Sequence, residues 1–135
     1  MSDSDYKSDA LKAMDKLQEV SPTMCLAKWN QTSLHLPTGL TNSCYHPPLH
    51  EIDADEVKLN PAALHNTAEK LTQRQEMLDG KQPKGCSYCW NIEKTGEMSD
   101  RHYRSGEPWA MQDFNDIRKN PIDERWTPRY VEVNF

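Results

Sequence analysis

Cys25-Leu-Ala-Lys-Trp-Asn-Gln-Thr-Ser-Leu-His-Leu-Pro-Thr-Gly39-Leu-Thr-Asn-Ser-Cys44 is the stretch that decides the fold, read together with Cys86-Ser-Tyr-Cys89 further on. Residues alternate from Trp29 to Leu36, with Trp29, Gln31, Ser33 and His35 on one face and Thr32, Leu34 and Leu36 on the other. Pro37-Thr38-Gly39 supplies a turn, in which Gly39 is free to take a positive φ, and Leu40 to Cys44 returns as a second strand. A hairpin turning near Thr38 brings Cys25 and Cys44 to the same end. Cys86-x-x-Cys89 is a knuckle that offers two thiolates from one tight turn, whereas a closed tetrahedral or cubane site takes four. Cys25 and Cys44 are the only other cysteines in the chain. The reading is therefore one metal site ligated by Cys25, Cys44, Cys86 and Cys89.

Composition supports a domain that needs such a site. The chain has 135 residues, enough for about one domain, and only 36% of them are apolar. Mean hydropathy is −0.93, and nine prolines interrupt the apolar runs. A chain this polar buries little core, and small domains with poor cores rely on a metal, disulfides or a partner.

Charge excludes other classes. The net charge of −5 is spread along the sequence, and the basic pair Arg118-Lys119 lies between Asp116 and Asp123, so no basic face for nucleic acid is expected. No apolar run reaches membrane-spanning length, and the polar acidic start is unlike a signal peptide. The expected location is cytoplasmic, where four cysteines favour metal over two disulfides.

The expected fold class is α+β: a small metal-stabilised domain with a β-hairpin, one main helix, a CxxC knuckle and long irregular segments. Residues 1–22 read as a leader, with Leu11, Met14, Leu17 and Val20 at helical spacing from about Asp9 to Glu19. Residues 23–104 read as the four-cysteine domain and 105–135 as a linker ending in a strand. Tyr45 to His50 cannot continue a central strand because of Pro47 and Pro48, and Asp53 to Lys58 reads as an acidic connection. Asn60-Pro61 opens the main helix, which runs to Leu78 before Gly80 and weakens near Asn66-Thr67. Leu64, Leu71, Gln75 and Leu78 mark its inner face, leaving Lys70, Gln73, Arg74 and Glu76 to solvent. Residues 96–128 read as irregular apart from a short helix over Met111 to Arg118. Tyr130 to Phe135 alternates as a strand whose only available partner is the hairpin.

Around the cysteines, Trp29, Tyr88 and Trp90 are expected as packing. Arg101 is either a counter-charge to the thiolates or a solvated surface residue. His46 and His50 are alternative ligands, while His35, His65 and His102 read as ordinary surface or loop residues. A thioredoxin-type dithiol would open a helix in a βαβ context, which the sequence lacks. Both one zinc ion and an iron–sulfur cubane accept four thiolates. The wide first pair and the single knuckle favour the larger cubane.

Cys25-x13-Gly39-x4-Cys44 followed by a distal Cys86-x2-Cys89 resembles the SPASM/twitch auxiliary iron–sulfur domains of radical SAM proteins. The approach Met77-Leu78-Asp79-Gly80…Pro83…Cys86 and the later Glu93…Gly96…Ser99…Arg101 also look like that group. The resemblance implies that Cys25, Cys44, Cys86 and Cys89 hold one auxiliary [4Fe–4S] cluster and that Arg129 to Phe135 is the first strand of a radical SAM barrel. In the family a CxxxCxxC motif follows that strand and serves S-adenosylmethionine cleavage; this sequence has none. The resemblance therefore implies the accessory half of a split enzyme or a truncated product. S-adenosylmethionine would be used only through a separate barrel-bearing polypeptide. The alternative is a four-cysteine domain holding one Zn2+ as a structural or protein-interaction module.

Overall fold

The computed structural model describes residues 3–135 and has the expected α+β class. It begins with α1, Asp3–Val20, and a one-turn helix α2, Ala27–Asn30. The hairpin follows as β1, Gln31–His35, and β2, Leu40–Asn42, antiparallel with Ser33 opposite Asn42 and His35 opposite Leu40. Gly39 closes the turn at φ +70°, and its amide donates to the His35 carbonyl at 2.8 Å. That left-handed conformation is costly for any residue bearing a Cβ. Trp29, expected on the first strand, belongs instead to α2, with its indole Nε1 donating to the Pro121 carbonyl at 2.7 Å.

β3, His50–Glu51, joins the outer edge of β2, and β4, Tyr130–Asn134, lies parallel to β1, giving the order β3-β2-β1-β4. The C-terminal strand thus pairs with the hairpin as expected. Asn30 fixes its approach: the Arg129 amide donates to the Asn30 carbonyl at 2.9 Å, and Trp126 Nε1 donates to Asn30 Oδ1 at 2.9 Å. Arg129 also pairs with Asp113 at 2.9 Å.

Helices cover more of the chain than the sequence suggested. The acidic connection folds as α3, Ala54–Leu59, because Asp53 caps it by accepting from the Asp55 and Glu56 amides. The main helix is split into a 3-10 turn, Pro61–Leu64, and α4, Ala68–Leu78, with Thr67 recapping the second part through the Lys70 amide. α4 ends in a Schellman arrangement, in which Lys81 N–H reaches the Glu76 carbonyl at 2.8 Å and Gly80 N–H the Met77 carbonyl at 3.2 Å. The knuckle runs into α5, Ser87–Glu93, and the region 96–128 contains α6, Asp100–Ser105, and α7, Pro108–Met111, neither of them expected, together with α8, Phe114–Lys119, which overlaps the short helix expected over Met111 to Arg118. Ser99 starts α6 with a capping box closed by His102.

Two helix faces differ from expectation. In α1 the buried stripe is Ala10, Ala13 and Leu17, whereas Leu11 is exposed. Small residues win because α1 lies backbone-close to α6: a Cβ at Gly106 would stand 2.9 Å from the Asp9 carbonyl oxygen. Gly106→Ala should consequently push α1 outward and destabilise the fold by about 1–3 kcal/mol, the usual scale of overpacking; thermal unfolding checks this. In α4 the inner face carries Lys70, Gln73, Arg74 and Met77, while Gln75 and Leu64 are exposed. Leu71 and Leu78 are half-buried, with Leu78 packed against the core, so the expected inner face holds only in part. The core collects Leu17, Met24, Leu26, Trp29, Met77, Trp90, Phe114 and Ile117 around Cys25 and Cys86.

Candidate metal centre

Three separated segments deliver the four thiols. Cys25 stands just ahead of α2, Cys44 follows β2, and Cys86 and Cys89 bracket the start of α5. The hairpin supplies the first pair as expected. The CxxC pair is not a free turn: Cys86 occupies the N-cap of α5 and Cys89 its first turn. All four cysteines line one small, partly open pocket. Lys28, Ser43, His46, Met77, Trp90 and Arg101 share that wall. Every cysteine is a free thiol, and Cys25, Cys86 and Cys89 are buried.

Among the described residues, no three His, Cys, Asp or Glu side chains form a group that could hold a metal ion. One tetrahedral zinc, with Zn–S near 2.3 Å, would need the four sulfurs about 3.8 Å apart. A cubane spans a wider set of corners.

Burial pushes the thiols up: Cys44 to about 11, Cys89 to about 12, and Cys86 in the same direction. The rise is opposed at Cys44 by the Lys28 ammonium and the His46 amide. Lys28 opposes it at Cys86, and the Ser99 hydroxyl and Arg101 amide do so at Cys89. Neutral buried thiols make poor redox nucleophiles, since the thiolate is the reactive form. The same thiols bind metal with release of protons. Although the CxxC pair opens a helix, the thiol chemistry therefore differs from a low-pKa exchange dithiol.

The electrostatics of the surroundings are one-sided. Lys28 is 2% exposed, and its ammonium donates to Ser43 Oγ at 2.7 Å and Gln73 Oε1 at 2.8 Å. Lys70 is wholly buried and donates to Thr32 Oγ1 at 2.8 Å and Thr41 Oγ1 at 3.0 Å. Arg74, also wholly buried, donates to Asn66 Oδ1 at 2.6 Å and the Lys28 carbonyl at 3.3 Å. Among the described residues none of these three cations has a carboxylate at ion-pair distance. Burial, with the neighbouring charges of Arg74 and Lys28, draws Lys70 down to about 6. Sequence reasoning assigned Lys70, Gln73 and Arg74 to solvent by their polarity. Their spacing with Met77 does follow one helical face, and that was the only signal available.

The remaining candidates sort clearly. Arg101 is buried, not solvated; it is paired with Glu93 at 2.6 Å and donates to the Met24 carbonyl at 2.8 Å. Burial raises the Glu93 carboxyl, but hydrogen bonds from Arg101 and Ser99 outweigh it and hold the group below its usual range. Trp90 lines the cavity, with Arg101 over its ring at 5.4 Å, whereas Trp29 packs away from it and Tyr88 is half exposed. His46 reaches the cavity wall but is held at 2.7 Å by Asp100 and stacks on Tyr88 with ring centroids 3.8 Å apart. His50 bonds Thr67 at 2.7 Å and Glu69 at 3.0 Å, apart from that wall. His65 and His102 are buried, contrary to a surface reading; His65 Nε2 bonds the Trp29 carbonyl at 2.5 Å.

Comparison of the chain with protein-family models, with curated proteins and with solved structures finds no match. Among the described residues no helix is long and apolar enough to cross a membrane. The assignment of a function rests on the site itself. It offers four soft sulfur donors on a mostly apolar wall, with the Ser99 hydroxyl and Arg101 amide beside Cys89 and the Lys28 ammonium beside Cys86, a donor set of the kind that soft metals and clusters take.

Proposed function

We propose that this chain is an auxiliary iron–sulfur module, in which Cys25, Cys44, Cys86 and Cys89 hold one [4Fe–4S] cluster. The observation that carries this reading is that all four cysteines of the chain, from three distant segments, line one pocket beside Lys28, a buried cation with no carboxylate at ion-pair distance among the described residues. A bound cluster of this type supplies one-electron transfer at a potential tuned by net charge and by hydrogen bonds to sulfur.

The chain's own residues do the rest. Trp90 and Met77 exclude water from one side of the cavity. The Arg101–Glu93–Ser99 group ties the end of α5 to the start of α6, with Ser99 Oγ donating to Glu93 at 2.7 Å, and so fixes the helix that carries Cys89. A reducing compartment, the cytoplasm, suits four free thiols. The resemblance to SPASM/twitch domains supports a role in electron transfer or substrate anchoring beside a radical SAM barrel.

Zinc is the competing occupant. The wide spacing of Cys25 and Cys44 in sequence and the single knuckle favour the cubane. Metal and acid-labile sulfide analysis of anaerobically purified protein decides the matter. About four irons and four sulfides per chain, for a cubane, are the expected result. One zinc without sulfide would make the chain a structural four-cysteine module.

A further inference from the structure

Lys28 occupies an unusual position, and its charge has no assigned use. It leaves α2 only three residues after Cys25 and lines the cavity together with Cys44, Cys86 and Ser43. Its partners are neutral: the Ser43 hydroxyl and the Gln73 amide oxygen. Removing an ammonium from water costs several kcal/mol even after relaxation, and neutral acceptors return only part of that. Buried lysines are almost always paired. Here the nearby buried Arg74, which donates to the Lys28 carbonyl at 3.3 Å, adds like charge, not opposite charge. Arg101, the other buried cation on the wall, is already matched by Glu93 at 2.6 Å. Asp100, the carboxylate on this wall, is already engaged by His46 at 2.7 Å and Arg104 at 3.9 Å, which leaves the four sulfurs as the place where unmatched negative charge would collect once they have lost their protons to a metal.

We infer that Lys28 is the counter-cation of the thiolate-held cluster and raises its reduction potential. This rests on the iron–sulfur reading above and adds the residue that regulates it. Adding an electron to an already anionic cluster is easier when a fixed positive charge lies at the cavity wall in a low-dielectric setting. Gln73 from α4 and Ser43 beyond β2 then act as the posts that hold the ammonium against the sulfurs. This accounts for a helix whose inner face is polar.

The test is the reduction potential of reconstituted wild type, Lys28→Met, Lys28→Gln and Lys28→Arg, followed by the visible spectrum during titration. Both neutral variants should reduce about tenfold less readily at a fixed poise, a shift of about 59 mV for a one-electron couple. Lys28→Arg should stay close to wild type. In the metal-free state Lys28→Met should melt no lower than wild type, because it removes an unmatched buried charge. A purely structural lysine would instead lower that melting temperature and leave the potential alone. Cluster loading lost in both neutral variants and kept in Lys28→Arg also supports the inference; loading lost in all three overturns it. A loaded Lys28→Met with an unmoved potential overturns the inference and leaves the cluster reading intact. Wild-type chain that takes up no iron and sulfide overturns both.

Discussion

Cys89→Ser should lose most of its iron and unfold at a markedly lower temperature than the loaded wild type, and Cys25→Ser should behave alike. Each removes one of four soft donors, and hydroxyl oxygen is a poor substitute for thiolate on iron. The effect on stability is large because binding and folding share one free energy. A ligand present at about 100 times its dissociation constant adds about 2.7 kcal/mol, against a total of roughly 5–15 kcal/mol for a domain. This chain has little else to draw on. Its apolar fraction is 36%, and two of its buried side chains, Lys28 and Arg74, are cations with no carboxylate at ion-pair distance among the described residues. Ser87→Ala, at an exposed position between the two ligands, should change neither iron content nor melting. Iron and sulfide analysis with circular dichroism melts reads both outcomes. Unchanged metal in both cysteine variants would end the four-ligand proposal.

The parts of this fold that were readable from sequence are those fixed by local chemistry. Gly39 and the alternation on either side of it specify the hairpin, and Asn60-Pro61 specifies a helical start. The terminal strand had one available partner and took it, as a parallel neighbour of β1. The convergence of Cys25, Cys44, Cys86 and Cys89 on one cavity wall followed from the hairpin and from there being no other thiols. What failed was the assumption that polarity marks the solvent side. Lys70 and Arg74 sit inward because Thr32, Thr41 and Asn66 offer buried acceptors. No single-residue property announces that. Likewise α1 buries Ala10 and Ala13 ahead of Leu11 through a backbone approach to Gly106, which lies far along the chain. The short helices after residue 96 depend on caps such as Ser99 with His102, which only the folded geometry makes visible.

Metal-free protein should grow more stable as pH rises from 6 towards 9, and Lys70→Met should remove most of that dependence. Burial, with Arg74 and Lys28 beside it, lowers Lys70 from 10.5 to about 6. Between those values the unfolded chain carries a proton that the folded chain lacks, so unfolding takes up protons. Stability then increases with pH, by on the order of 1 kcal/mol per unit from this one group. The benefit is complete above the unfolded value and lost as pH falls through about 6. No described carboxylate pairs with Lys70 to offset it. Above pH 9 the rise should stall: Cys44 and Cys89 are raised to about 11 and about 12, so their contribution is lost as pH climbs through those values. Lys70→Met should leave the polar neighbours satisfied, because Thr41 Oγ1 still reaches the Ser33 carbonyl at 2.7 Å. It should therefore raise stability at neutral pH by on the order of 2 kcal/mol, part of the cost of burying a group that is charged in the unfolded chain. Urea unfolding of wild type and variant at several pH values between 6 and 9 measures both slopes. Equal slopes would mean that Lys70 keeps its charge in the folded metal-free state, in which case an anion must stand near it even there.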